Sequence, residues 1–165
     1  MKLYTLALVF VGLLPMAAAA QMTHPMAPDA PAVNVIKGAQ HPELISDSLI
    51  ARLFSGHSGP KDSDTGDALA DKYAHLQDIG MSEPDTQTLS QALATYNRAE
   101  AASVVKYNSV TNTAASYATF TQNRDKSATA LLSGLKTSLT TDGYKRFIQF
   151  LQFEKTNVTI GAQGQ

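Results

Sequence analysis

The chain has 165 residues, with 13 lysine and arginine residues against 14 aspartate and glutamate residues, and a net charge of −1 when histidines are neutral. Nucleic-acid binding requires a basic surface, and because the sequence has no basic stripe we expect no nucleic acid as a partner. The sequence contains no cysteine. This excludes disulfides, thiolate catalysis, iron–sulfur clusters and cysteine zinc sites.

The first 20 residues have the pattern of an export signal. Lys2 precedes an apolar run over residues 3–16, and four alanines follow at 17–20. A basic start, an apolar run and small residues are typical of a cleaved signal peptide. The run is shorter than the roughly 20 apolar residues of a transmembrane helix. We therefore predict cleavage after residue 20, no transmembrane anchor in the mature chain, and a location in the periplasm or outside the cell.

Residues 21–40 are predicted to form a flexible, proline-rich lead-in. Prolines at 25, 28 and 31 interrupt a stretch with few residues that pack, and such composition is typical of extended linkers. The alternating segment 33–37 indicates a short extended stretch that is too short for a sheet.

Residues 41–160 are predicted to form a single helical domain. Apolar residues recur there with the 3.6-residue period of amphipathic helices, and no glycine lies between Gly80 and Gly134, which favours long helices. The fold class is all-α: a bundle of four to five helices around one long central helix, preceded by the signal peptide and the lead-in. The predicted helices lie within 41–56, 67–79, 82–111, 117–139 and 143–156.

Capping residues mark the predicted helix ends. Ser82 is expected to cap the long helix, and Asp85, three residues later, to complete a capping box. Other predicted ends are Ser46 or Asp47 at the start of the first helix, Gly56 at its end, Gly80 after the second helix, and Thr141 or Asp142 before the last.

Three segments, HPELISDSLIARLF, YAHLQDIGMSEPD and LTTDGYKRFIQFLQFEK, occur in this order along the chain. Together they resemble a family of small exported helical proteins of soil bacteria, whose members are generally of unknown function. The resemblance covers most of the mature chain, with Ser46 standing where the family pattern has proline. It implies a bacterial, exported, helical protein and brings no catalytic residues.

The loop before the second helix carries a candidate calcium site formed by Asp62, Asp64 and Asp67. Carboxylates at alternate positions can surround an oxygen-binding cation. The spacing departs from an EF-hand, because Gly66 stands at a ligand position and Tyr73 stands where the final glutamate is needed. The alternative is a solvated turn whose negative charge favours the start of the helix.

A second candidate metal set, Asp71, His75 and Asp78, lies on one face of the second helix. The i, i+4 and i+7 spacing can present imidazole and carboxylates to a transition metal. That face lies about 200° from the apolar stripe of the same helix. The alternative is therefore an ordinary solvated face.

No local motif unites a nucleophile, a base and an orienting group, so an enzyme is the class of protein that we rank last. Ser58 lies in GHSGP, but a nucleophile elbow needs glycine where Pro60 stands. We predict no cofactor. Glu100 interrupts the apolar seam of the long helix, and we predict that it faces water or pairs with Arg124 or Lys106.

The last helix is the most apolar stretch of the mature chain. Phe150 and Phe153 widen its apolar stripe, which indicates either a central buried helix or an exposed patch. The predicted patch consists of Phe150, Phe153 and Phe147, and it would bind an unknown protein, a lipid or a second copy of the chain. We therefore expect a non-enzymatic binding or structural module. The alternative is a carrier of a small ligand or a divalent cation, which uses the bundle interior or the acidic region from Asp62 to Asp78.

Overall fold

The structure is a computed structural model that describes residues 35–111 and 113–161. Within these residues the chain is all-α, as predicted, with five helices and one small sheet. The predicted signal peptide and most of the lead-in lie outside the described residues. The elements in order are β1 (Val35–Lys37), a 3₁₀ turn (Pro42–Leu44), α1 (Asp47–Ser58), α2 (Asp67–Gln77), α3 (Glu83–Asn108), α4 (Ala114–Ser138), α5 (Thr141–Asn157) and β2 (Thr159–Gly161).

Helices α3 and α4 form a long antiparallel hairpin, and α1 and α5 pack on one half of it. The buried side chains of α3 end at Tyr96, and those of α4 begin at Ala128. The last turns of α3 therefore extend about 18 Å beyond the core, at 1.5 Å per residue. There Tyr107 stacks on Phe120 with ring centroids 4.6 Å apart. The most fully buried apolar side chains are Ile45, Ile50, Leu76, Leu89, Leu93, Leu135, Phe147 and Leu151.

The two strands pair at the ends of the helical domain. β1 and β2 are antiparallel, with Ile36 opposite Ile160, and both of these side chains pack against the core. Part of the segment predicted to be a flexible lead-in is therefore a paired strand. Each strand has three residues and its partner lies at the other end of the chain, so local patterning does not reveal the pairing.

Ser46 and Ser82 cap α1 and α3 as predicted, but Asp85 does not complete the predicted capping box of α3. Ser46 caps α1 by accepting a hydrogen bond from the Leu49 N–H at 3.2 Å, but α1 continues beyond Gly56 to Ser58. The prediction that Thr141 or Asp142 caps the last helix is wrong. Thr140 is the cap, because its hydroxyl accepts from the Gly143 N–H at 3.0 Å. Thr113 and Ser116 form the capping box of α4.

Of the helices in the described part of the chain, none has both the length and the apolar character needed to cross a bilayer.

Candidate functional site

A cleft of about 300 Å³ lies where α1, α2 and α5 meet. We call it the α1–α2–α5 cleft. Its apolar lining residues are Ile50, Leu53, Phe54, Phe150 and Val158. Its polar lining residues are His57, Ser58, His75 and Glu154.

A smaller hollow of about 170 Å³ shares the polar residues His57, Ser58 and His75 with the cleft. It adds Asp71 and Lys72 from α2 to the lining. The cleft and the hollow therefore adjoin each other, and we refer to the two together as the depression.

Aromatic rings form the apolar wall of the cleft. Phe54 is 7% exposed and meets the Phe150 ring edge to face, with centroids 4.9 Å apart. The Phe54 ring also lies 6.3 Å from the His75 ring and 6.2 Å from the Phe147 ring. Because Phe54 contacts several rings, this wall of the cleft is a packed surface.

The three phenylalanines predicted to bind a partner occupy three different environments. Phe147 is fully buried, so its assignment to an exposed patch is wrong: its side chain belongs to the core beneath Phe54. Phe150 is half-buried and lines the cleft. Phe153 is 61% exposed and lies outside the cleft lining. The predicted patch is therefore divided, and Phe150 is the member that contributes to a concave site.

Two polar groups of the cleft lack partners among the described residues. Ser58 is 3% exposed, and its hydroxyl makes no hydrogen bond. Glu154 is half-buried and makes no ion pair or side-chain hydrogen bond within the described part of the chain. Buried polar groups in folded proteins are usually hydrogen-bonded. Both residues line the cleft. The Glu154 carboxylate can bond to a molecule that enters it, whereas the Ser58 hydroxyl, which has almost no accessible surface, must first turn toward that molecule.

The basic residue of the depression is already engaged. The Lys72 ammonium donates to the Gly59 carbonyl at 3.1 Å and to the Asp64 carboxylate. The hydrogen bond from Lys72, followed by one from the Lys61 backbone N–H, holds the pKa of Asp64 below its usual range. Asp71 has no such partner among the described residues. The unpaired charges around the depression are therefore negative.

The residues predicted to bind metal are not gathered into a metal site. Asp62 pairs with Arg98 at 3.3 Å, Asp64 pairs with Lys72, and Asp67 lies in the first turn of α2. The second set, Asp71, His75 and Asp78, is exposed. Across residues 35–111 and 113–161, no three His, Asp or Glu side chains are placed to hold a metal ion.

The predicted ion pair across the long hairpin is present. Arg124 of α4 donates to Glu100 of α3, and its guanidinium also lies over the Phe120 ring at 5.2 Å. Close to this pair, burial and the Glu100 charge raise the pKa of Tyr96 to about 12. This network stabilises the hairpin at a distance from the cleft.

Sequence reasoning did not assign His57 to a site, and it considered Ser58 only as a nucleophile. The Ser58 hydroxyl bonds to neither histidine, so the structure offers it no base. The cleft depends on packing between α1 and α5, whose sequences are almost a hundred residues apart in the chain. The available local signal was that both His57 and His75 lie in the last turn of their helices.

Comparison of the chain with protein-family models, with curated proteins and with solved structures finds no match in any of the three.

Proposed function

We propose that this chain is an exported, non-enzymatic binding module that holds a small ligand in the α1–α2–α5 cleft. The observation that carries the proposal is a concave apolar wall beside two polar groups without protein partners. Export is supported by the basic, apolar and small-residue order of the first 20 residues. A bacterial origin is supported by the resemblance described above.

The size and chemistry of the cleft favour a small molecule. Its volume of about 300 Å³ corresponds to the lower end of the range for ligand sites, which are mostly apolar with a few placed polar groups. Leaving a buried hydroxyl unpaired costs about 1–3 kcal/mol. A ligand that bonds to Ser58 would recover part of this cost, whereas the empty protein bears all of it.

A divalent cation is not part of the proposal. The carboxylates of Asp62 and Asp64 are already bonded to Arg98 and Lys72. A cation would have to displace both partners before it gained either ligand.

A screen of small amphiphilic compounds by heteronuclear NMR on the ¹⁵N-labelled chain tests the proposal. We expect hits to shift the resonances of His57, His75 and Phe150 together. Phe150→Ala, which removes one side of the apolar wall, should weaken binding. Phe153→Ala on the same helix is the matched control, because that side chain lies outside the cleft. The proposal fails if no compound shifts these resonances, or if the two variants weaken binding equally.

A protein partner or a second copy is the competing occupant, and the 61% exposure of Phe153 beside the cleft favours it. Photo-crosslinking from position 150 in the native host separates the two arrangements. A discrete crosslink to another polypeptide would assign the cleft to a partner. Crosslinks within the chain alone would count against a polypeptide partner at position 150, and the NMR screen would then decide whether the cleft binds a small ligand.

A further inference from the structure

We infer that the α1–α2–α5 cleft selects a small organic ammonium ion with an apolar body. This inference rests on the proposed function, and it names the chemical class of the ligand. It follows from the charge around the cleft, from the unpaired hydrogen-bonding groups, and from the aromatic wall.

The charge of the lining disfavours an anion and favours a cation. Glu154 lines the cleft and Asp71 lines the adjoining hollow, and neither has an ion-pair partner among the described residues. Lys72 is the basic neighbour, and its ammonium is bonded to Asp64 and to the Gly59 carbonyl. An anionic ligand would meet two carboxylates and a lysine whose charge is already neutralised.

The unpaired groups of the cleft both accept hydrogen bonds. The Glu154 carboxylate only accepts, and the Ser58 hydroxyl accepts as well as donates. An ammonium group carries several donors and no acceptor, so it can satisfy Glu154 with a charge-assisted bond. The Ser58 hydroxyl has no hydrogen-bond partner among the described residues, so rotation about its χ1 bond to meet a ligand breaks no existing hydrogen bond.

The aromatic wall suits both parts of such a ligand. Phe54 and Phe150 meet edge to face, and both rings line the cleft. An aromatic face attracts a cation through its quadrupole and also packs against an alkyl or aryl body. The apolar body and the positive head group of the ligand can therefore both contact the same aromatic wall.

Three probes of similar size and different charge test the inference: 2-phenylethylammonium, 2-phenylethanol and phenylacetate. Binding is measured by titration calorimetry on the full chain at pH 8. We expect the ammonium probe to bind about tenfold more tightly than the alcohol, as one charge-assisted hydrogen bond implies. We expect no binding of phenylacetate.

Glu154→Gln keeps the shape of the side chain and removes its charge. It should reduce the affinity for the ammonium probe about tenfold and leave that for 2-phenylethanol unchanged. Glu43→Gln is the matched control, because Glu43 is exposed beside His41 and outside the cleft. Both variants should retain the helical circular dichroism of the parent.

Failure of the inference differs from failure of the proposed function. Equal binding of the alcohol and the ammonium probe, or an unchanged affinity in Glu154→Gln, overturns the ligand class and leaves a Phe150-dependent binding site. Tighter binding of phenylacetate than of the ammonium probe would also overturn the ligand class and leave the binding site itself in place. No binding of the ammonium probe at millimolar concentration overturns the inference, and the NMR screen then decides separately whether the cleft binds anything.

Discussion

Asp85 of α3 accepts two hydrogen bonds from Thr140, the residue that caps α5 and lies 55 positions further along the chain. The Thr140 backbone N–H donates at 2.8 Å and its hydroxyl at 2.6 Å. The Ser82 hydroxyl adds a third bond at 2.9 Å. Asp85 is 4% exposed, so these donors replace the water that its charge would otherwise hold. The carboxylate thus ties together the starts of two helices.

Replacing Asp85 with asparagine should destabilise the fold. The amide keeps the shape, but it loses the charge and turns one acceptor into a donor that faces the donors of Thr140. Since a buried hydrogen bond to a charged group contributes about 1.5–3 kcal/mol, we expect the unfolding free energy to fall by about 2–3 kcal/mol. Urea denaturation followed by circular dichroism measures it.

The control for this variant is Asp142→Asn in the first turn of α5. Asp142 is exposed and pairs with Arg146 one turn later, so its replacement should leave stability nearly unchanged. Equal losses in the two variants would mean that burial of Asp85 contributes nothing specific.

The same carboxylate should make stability depend on pH in the acid range. Hydrogen bonds from the Thr140 hydroxyl, then from its backbone N–H, hold the pKa of Asp85 below its usual range, although burial opposes them. The unfolded chain, in which aspartate titrates near 3.9, therefore binds this proton more tightly. The stabilisation is complete above that value and is lost as the pH falls through the lower folded pKa.

Urea denaturation between pH 2 and pH 6 checks the prediction when wild type and Asp85→Asn are compared. The difference between their unfolding free energies should be largest above about pH 5 and should shrink toward the acid end. Other carboxylates titrate in both proteins, so the difference isolates Asp85. A difference that stays constant with pH would contradict the prediction.

Two glycines in helices should respond to alanine with opposite signs. A Cβ at Gly143 would lie 2.3 Å from an oxygen of Asp85, whereas one at Gly134 would meet nothing within 4 Å. Gly143→Ala should therefore displace the carboxylate and lower the melting temperature. Gly134→Ala should raise it, because alanine favours the helix over glycine by about 1 kcal/mol. Thermal melts of the two variants and the parent measure these changes. Melting temperatures that shift in the same direction in both variants would contradict the prediction.

The sequence predicts interactions that span few residues and misses those that span many. The Ser82 cap is recognisable because its hydroxyl accepts from the N–H of Asp85 three residues away. The predicted capping box is not completed, since the Asp85 carboxylate turns to Thr140 instead of the N–H of Ser82. Nothing in residues 82–85 indicates a partner in the loop before α5.

The candidate site likewise combines residues close together in the sequence, whose relation is predictable, with residues far apart, whose relation is not. His75 was grouped with the aspartates one turn away, because helical spacing places them on one face. In the structure the His75 ring lies 6.3 Å from the Phe54 ring and lines the same cleft as Phe150, because α1 and α5 pack together. Helical periodicity finds which face of α5 is apolar. Periodicity does not reveal that Phe147 lies in the core while Phe150 lines a cleft.

Two buried serines on α1 should also respond differently to alanine. The Ser55 hydroxyl donates to the Ala51 carbonyl at 2.7 Å, whereas the Ser58 hydroxyl has no partner within residues 35–111 and 113–161. Ser58→Ala removes an unpaired polar group and should raise the unfolding free energy of the empty protein by about 1 kcal/mol. Ser55→Ala loses a hydrogen bond and should not stabilise. Urea denaturation of both variants checks this, and destabilisation by Ser58→Ala would indicate that the hydroxyl has a partner in the empty protein.

The ion pair between Asp47 and Lys155 should matter more than the one between Asp62 and Arg98. The Lys155 side chain is 8% exposed, with its ammonium 2.5 Å from the Asp47 carboxylate. The Asp62 and Arg98 side chains are 70% and 62% exposed. Asp47→Ala leaves a buried positive charge without a partner and should cost about 3 kcal/mol of unfolding free energy. Asp62→Ala should change stability little, because water screens that pair.

Adding Lys155→Met to Asp47→Ala tests the cause of the larger loss. Methionine fills a similar volume without the charge, so the double variant should recover part of the stability lost by Asp47→Ala alone. Recovery would identify the unpaired ammonium as the source of the destabilisation. No recovery would assign the loss to the other contacts of Asp47: its place in the first turn of α1, and the bond at 2.9 Å that it accepts from Gln152. Denaturation of the parent, the single variant and the double variant completes the comparison.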